Sequence, residues 1–338
     1  MFVSFFNSFL AITDQGLEQK NFCAFHDEGV QPVSLQELKN LGFQSEYQND
    51  GMIAFRKGND YLSVNADLSL SVRDHVGGWE RFSEISETKL PPFVRNIASG
   101  CDIPKIIHQI GYNISNFNPF YENINYIKYR NKDYDYKLWT KFGNNSVYKF
   151  IYDYYGIEYV KLFEMINQDY GAMCADLARY MIIYAMGGVY LDLKSVITQP
   201  LNALIKAQDK LLLAKWESEG EVHPDLSHVA GGEYVNWFIA SIAGHSLLRR
   251  VINQVLCNIA LYDRRFAGAG RIATLRTTGP VPYTRAILSS PRNSGFREIS
   301  LNQEGCVYQS LLVKKNSKPL YGRPHYSSLN SDLILKRP

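Results

Sequence analysis

The chain has 338 residues, 46% of them hydrophobic and 20% charged, which excludes disordered, collagenous and coiled-coil chains and leaves room for two domains or one large domain with an appendage. Lys and Arg number 36 against 33 Asp and Glu, a formal charge of +3, too weak a field for nucleic acid to be the main partner. The charge is uneven: residues 1–100 carry 8 basic and 13 acidic side chains and the rest carry 28 and 20, so the longer part is the one suited to an anionic ligand.

Cys23, Cys101, Cys174, Cys257 and Cys306 lie far apart, form no C-x-x-C pair and are odd in number. They suggest neither a disulfide framework nor a zinc cluster, and a reducing compartment fits them best. The apolar run from Phe2 to Ile12 lacks the basic flank of a signal peptide and is too short to span a bilayer. The expectation is a soluble, cytoplasmic protein with at most peripheral membrane contact.

Residues 1–90 read as a β-rich module. Runs at Met52 to Arg56, Tyr61 to Val64, Leu68 to Val72 and Glu80 to Ile85 are separated by Lys57-Gly58-Asn59-Asp60, Asn65-Ala66-Asp67 and Gly77-Gly78, turn chemistry that predicts antiparallel hairpins. One helix is expected there, over Ser34 to Leu41. Phe9-Leu10-Ala11-Ile12 echoes Tyr61-Leu62-Ser63-Val64 about fifty residues on. Together with Trp79-Glu80-Arg81-Phe82, this stretch resembles a lobe of the fascin-type β-trefoil, in partial form. Such a module either docks carbohydrate or protein, or packs against the rest of the chain.

Residues 91–101, with Pro91, Pro92 and Gly100, form the expected linker. From 102 to 338 the pattern turns α/β. Strands are expected at Lys105 to Ile110, Tyr134 to Thr140, Val189 to Ser195, Leu211 to Trp216 and Trp237 to Ile242. Helices are expected at Ser146 to Tyr155, Glu158 to Ile166, Ala172 to Met186, His245 to Tyr262 and Pro282 to Ser289. This alternation predicts a mainly parallel sheet covered on both faces, with its ligand site outside the carboxyl ends of the strands.

The helix Ala172 to Met186 contains two charges, Asp176 and Arg179, whose i,i+3 spacing puts them on one stripe. Charges on so apolar a helix demand partners. They form either an intrahelical pair at a partly exposed edge or a ligand-holding pair. Gly187-Gly188 stops the helix and turns the chain into a strand, whose alternation places Val189, Leu191 and Leu193 on one face and Tyr190, Asp192 and Lys194 on the other. Asp192 and Lys194 would then project together from the strand end.

These residues, with Ile103-Pro104-Lys105-Ile106-Ile107-His108-Gln109, Tyr136-Lys137-Leu138-Trp139, Asn236-x-Phe238-Ile239, Gly244-His245, Thr278-Gly279-Pro280 and His325-Tyr326, resemble glycosyltransferase family 32, sugar transferases with a DXD motif distantly related to the glucosylating domains of large clostridial toxins. The resemblance covers residues 102–328 and omits the N-terminal module. It implies a GT-A fold, a nucleotide-sugar donor, a divalent cation (Mn2+ or Mg2+), and transfer of a hexose, with retention, to a glycan, lipid-linked or protein acceptor. Residue by residue, it implies that Asp176 and Arg179 hold the donor sugar and that Asp192 touches ribose and sugar hydroxyls and the metal's water shell. Tyr112 would stack on the base, Trp139 would line the pocket or the core, and His325 would approach the diphosphate or the metal. Glu217, His223 and Asp225 are acceptor-side candidates.

The second acid of the motif is Lys194 here. An ammonium has no lone pair and cannot ligate a cation, so metal use is in doubt. Lys194 could instead place its charge on the departing diphosphate, together with Arg179. A non-catalytic sugar-binding pseudo-enzyme and a toxin-like protein glycosyltransferase remain as alternatives. The basic runs around Asp263-Arg264-Arg265, Arg271 and Arg276 read as solvated surface, and the absence of a Gly-rich phosphate loop, G-x-S-x-G elbow or H-E-x-x-H removes the common NTPase, hydrolase and zinc-protease readings.

Overall fold

The computed structural model describes residues 1–112, 120–216, 222–290, 295–308 and 328–335. Its first part is a β layer: β1 (Phe2–Ser4), β2 (Ser8–Thr13), β3 (Gly16–Asn21), β4 (Gln31–Pro32), helix α1 (Leu35–Asn40), β5 (Gln44–Tyr47), β6 (Ile53–Lys57), β7 (Asp60–Val64), β8 (Leu70–Arg73) and β9 (Phe82–Glu84). The main path of this antiparallel sheet runs β3-β2-β1-β9-β6-β7-β8, so the two echoing segments start hairpins at its opposite ends, β2–β3 and β7–β8. Helix α1 begins where its sequence places a capping box: Ser34 accepts from the Glu37 amide and the Glu37 side chain reaches back to Ser34.

The second part supplies β10 (Ile106–Ile110), α2 (Tyr121–Arg130), β11 (Asp135–Trp139), α3 (Val147–Tyr155), α4 (Ile157–Met165), α5 (Gly171–Met186), β12 (Gly188–Leu191), β13 (Val196–Ile197), α6 (Leu201–Leu204) and β14 (Leu211–Ala214). After these come β15 (Phe238–Ser241), α7 (Ser246–Ala260), α8 (Arg264–Ala267), α9 (Gly270–Thr277), α10 (Pro280–Leu288), β16 (Arg297–Ile299) and β17 (Cys306–Val307). Six strands form a sheet in the order β11-β10-β12-β15-β14-β16. β15 is antiparallel to both its neighbours and the other adjacent pairs are parallel, so one strand runs against five. Alternation along β12 sends Tyr190 into the core built on α3, α4, α5, α7 and α10, and Val189 and Leu191 into the core on the opposite face.

The β layer is fastened to the second part by polar contacts rather than by chain continuity alone. On α7, Gln254 donates to Asn7 O and accepts from the Cys23 amide, and Arg250 forks onto Asp27. On α10, the buried Arg285 donates to Phe6 O at 3.1 Å and Ala66 O at 3.0 Å, and burial lowers its pKa to about 10. Residues 91–105 carry no helix or strand. They lie strapped along the second part, with the Val94 amide donating to Asn253, the Tyr184 hydroxyl to Arg95 O and the Gly100 amide to Ala243 O.

Candidate active site

The site is built where α5 turns into β12. Gly187 and Gly188 have φ of +65° and +99°, and both are crowded. A Cβ on Gly187 would lie 2.7 Å from the Ala243 amide nitrogen, and one on Gly188 would lie 2.6 Å from Ile106 O. Glycine is required at both for conformation and for space. The turn is pinned by His108, wholly buried on β10. Its Nδ1 accepts from the Trp139 indole N–H at 3.0 Å, which leaves Nε2 to donate to Gly187 O at 3.0 Å. Burial holds this imidazole neutral, its pKa lowered to about 3.

The two charges of α5 are buried, Asp176 at 6% and Arg179 at 5% exposure, so the reading of a pair at a partly exposed helix edge is corrected. One nitrogen of Arg179, Nη2, lies 3.2 Å from Asp176 Oδ1 and 3.2 Å from Asp192 Oδ1. Nη1 donates to Asn236 O at 2.8 Å, Nε donates to Ala175 O at 3.2 Å, and the guanidinium lies 4.6 Å from the Tyr190 ring centroid. Asp176 accepts from Asn236 Nδ2 at 3.0 Å and from the Thr278 hydroxyl at 2.9 Å. Burial pushes its pKa up to about 6 against the opposing pull of Arg179 and Thr278. Burial alone would loosen the Arg179 proton, but Asp192, Tyr190 and Asp176 outweigh it and the net shift is upward.

Asp192 is the member of this trio that meets solvent, its side chain 25% exposed. Its Oδ1 accepts from the Tyr190 hydroxyl at 2.6 Å, its amide donates to Trp237 O at 3.0 Å and its carbonyl accepts from Gln109 Nε2 at 3.1 Å. The strand predicted through Ser195 ends at Leu191. The Ser195 amide closes a turn on Asp192 O at 2.8 Å, and Asn123 Nδ2 caps the carbonyls of Leu193 and Ser195 at 2.9 Å each. Lys194 therefore leaves the strand alternation that was to place it beside Asp192. It is half-buried, and among the described residues it has no hydrogen bond or ion pair.

Of the remaining predicted site residues, those that the structure describes are committed to other partners. Tyr112 is 5% exposed, its hydroxyl donating to Gln168 at 2.7 Å and its ring edge-on to Phe163. Trp139 is a core residue packed on Phe150, with its N–H committed to His108. Asp225 takes Arg276 on both oxygens at 2.7 and 2.8 Å, which also withdraws Arg276 from the solvated run read from sequence, and His223 caps the Asp225 amide at 3.1 Å. Glu217 and His325 lie outside the described residues. Sequence reasoning gave no role to Asn236, Thr278, Tyr180 or Gln109. Asn236 and Thr278 stood in the motif order, but their bonds to Asp176 span 60 and 102 residues.

A divalent cation fits this donor set poorly. Asp192 already satisfies Oδ1 with a hydroxyl and a guanidinium, the next motif position is an ammonium, and among the described residues no three His, Cys, Asp or Glu converge. No helix among the described residues is long and apolar enough to cross a membrane.

A buried acid–guanidinium pair thus meets a part-exposed acid at the end of a sheet strand, an arrangement that offers carboxylate oxygens to the hydroxyls of a polar ligand. Residues 119–211 match the family model described as a glycosyltransferase sugar-binding region containing a DXD motif, a span that includes Asp176, Arg179, Asp192 and Lys194. This bears out the resemblance: the chain carries a glycosyltransferase region like that of family 32. Over 91 residues it is 32% identical to the initiation-specific alpha-1,6-mannosyltransferase of Candida albicans (strain SC5314 / ATCC MYA-2876), a match covering 24% of this chain and 23% of that protein. The chain thus spans about a quarter of the length of that curated relative. Among solved structures it is similar to the PaToxG glycosyltransferase (15% identity, TM-score 0.38, 59% of this chain and 71% of that one). It is also similar to the UDP-bound glycosyltransferase domain of the YGT toxin (9% identity, TM-score 0.41, 64% and 83%).

Proposed function

We propose that the protein is a glycosyltransferase of GT-A type that moves a hexose from a nucleotide sugar to a hydroxyl of a glycan, lipid or protein acceptor, with residues 102–338 as the transferase domain and residues 1–90 as a β-rich module joined by 91–101. The observation that carries this reading is the Arg179 guanidinium clamped between Asp176 and Asp192. It fixes two acids whose second oxygens point to different partners: Asp176 Oδ2 is taken by Thr278, while Asp192 faces solvent and is the group that meets donor hydroxyls first.

In the reaction, the bond between the anomeric carbon and the diphosphate oxygen breaks, the acceptor oxygen bonds to that carbon, and the acceptor's proton leaves to the diphosphate or to water. Negative charge grows on the departing diphosphate. Arg179 is neutralised by its two acids, so the ammonium of Lys194, unpaired among the described residues, is the group we assign to that charge.

The test is a thermal-shift screen of UDP- and GDP-hexoses with and without chelator, since a ligand that binds only the folded state raises the melting temperature. A shift with one donor that is lost in Asp192→Ala supports the site, and an undiminished shift in that variant places it elsewhere. Slow release of nucleoside diphosphate from that donor separates a transferase from a sugar-binding pseudo-enzyme.

A further inference from the structure

Three aromatic side chains cluster beside Asp192. Trp216 follows β14, Trp237 precedes β15 and Tyr308 follows β17; their ring centroids are 5.9 Å (Trp216–Trp237), 5.5 Å (Trp216–Tyr308) and 5.3 Å (Trp237–Tyr308) apart. The C-terminal ends of β12 and β14 and the N-terminal end of β15 share one edge of the sheet, and the Trp237 carbonyl accepts the Asp192 amide. Trp237 is 4% exposed and belongs to the core on that face of the sheet, while Trp216 and Tyr308 are half-buried and pack against it.

A packed apolar core needs no polar atom here, yet the Trp237 indole N–H is buried and has no acceptor among the described residues. Leaving such a donor unpaired costs about 1–3 kcal/mol, and buried indoles ordinarily find a partner. Partly buried aromatic side chains beside an orphaned donor make an arrangement suited to a ligand with one apolar face and a rim of hydroxyls.

We propose that Trp216, Trp237 and Tyr308 form a second sugar subsite, adjoining the donor site at Asp192, that takes a pyranose ring of the acceptor. The Trp216 ring covers the C–H face of the sugar, the Tyr308 ring, set edge-on to it, flanks the sugar's rim, and the Trp237 N–H pairs with one of its hydroxyls as the ring seats. The assignment of this sugar to the acceptor rests on the transferase reading above; the binding itself does not.

The experiment follows tryptophan emission of the full chain, in the presence of uridine diphosphate, during titration with methyl α-D-mannopyranoside, methyl α-D-glucopyranoside and sorbitol. Two of the four tryptophans lie in the cluster, and sorbitol has the hydroxyls without a rigid apolar face. The expected result is a saturable change with at least one pyranoside and none with sorbitol, weakened about tenfold in Trp216→Ala and in Trp237→Phe, a loss equal to one decade of affinity. Trp237→Phe keeps an aromatic ring in place while removing the N–H together with one of the two fused rings, which covers the case in which Trp216→Ala fails to fold. No saturable change with either pyranoside, or a change of undiminished affinity in the variants, overturns the subsite. If the nucleotide fails to bind while Trp216-dependent sugar binding persists, the donor reading fails and the subsite stands.

Discussion

Arg179, in the middle of α5, and Asp192, one residue past the end of β12, are joined by a 3.2 Å ion pair across the double-glycine turn. The same guanidinium nitrogen holds Asp176 at 3.2 Å, so one buried cation fixes the geometry of two acids on different elements. Removing one partner of a buried ion pair typically costs about 3–5 kcal/mol, because the other is left uncompensated. Arg179→Met is therefore expected to lower stability by about that much and to abolish nucleotide-sugar binding. Arg179→Lys keeps the charge but cannot fork onto Asn236 O, Ala175 O and both acids at once, so it should be intermediate in stability. Urea denaturation of the three proteins decides this, and equal midpoints for wild type and Arg179→Met would show that the clamp holds nothing.

Asp176 predicts a pH dependence of its own. Its folded pKa of about 6 is raised above the ordinary carboxylate value near ~4, so its contribution to stability is full below pH ~4 and is lost as pH rises through about 6. If the donor binds at the proposed site, its binding needs the ionised form to keep Arg179 in place, and it should strengthen over the same window. Calorimetric titration of the selected donor between pH 5 and pH 8 should show affinity rising through about pH 6 in the wild type, with that rise absent in Asp176→Asn. A flat wild-type profile would remove Asp176 from the binding machinery.

The opposite sign is expected at His108. Its folded pKa of about 3 lies below the unfolded value near ~6.5, so its stabilisation is complete above pH ~6.5 and fades as pH falls toward 3, where only the unfolded chain takes up the proton. Stability of the wild type measured down this range should fall more steeply than that of His108→Gln, which has no proton to gain. Parallel curves would show that the imidazole does not carry the effect.

Gly188→Ala tests the turn itself. A non-glycine residue at φ of +99° costs about 1–3 kcal/mol, and the added Cβ would meet a backbone oxygen that cannot rotate away, Ile106 O at 2.6 Å. The sum should exceed about 3 kcal/mol, with loss of donor binding because Asp192 follows the strand that must shift. An alanine variant with wild-type stability and binding would mean that α5 and β12 can separate freely.

How much of this was legible in the sequence depended on whether the deciding contacts were local. The α5 helix was readable because a long apolar segment with Ala, Leu and Met ends at two glycines, and its observed start, Gly171, differs by one residue. By contrast α2, Tyr-Glu-Asn-Ile-Asn-Tyr-Ile-Lys-Tyr-Arg, is rich in residues of poor helix propensity; it is helical because Ile124 and Ile127 are buried by the fold. The early end of β12 was equally hidden, since Gln109 and Asn123, from distant segments, set the turn. At the site, the Asp176–Arg179 spacing and the double glycine announced a charged pair facing a strand end. Nothing local revealed that Asn236 and Thr278 would complete it, or that Trp139 would pair with His108 rather than line a pocket.

Lys194 gives the sharpest prediction about chemistry. If its ammonium supplies the charge that a cation supplies elsewhere, turnover of the selected donor should survive exhaustive chelation, and Lys194→Met should lose about 100-fold or more in kcat with little change in donor Kd, since a group acting on charge that develops only in the transition state contributes there and not to ground-state binding. Lys194→Asp restores the second acid of the motif and places two carboxylates, Asp192 and the new one, where one stood. Without metal it should be as slow as the Met variant, because it adds negative charge beside the departing diphosphate; manganese should then rescue it, by pairing with both acids. Initial rates with chelator and with manganese, for all three proteins, separate the possibilities. Wild-type activity that vanishes on chelation and returns with manganese assigns the leaving-group charge to a metal and leaves Lys194 with no part in it.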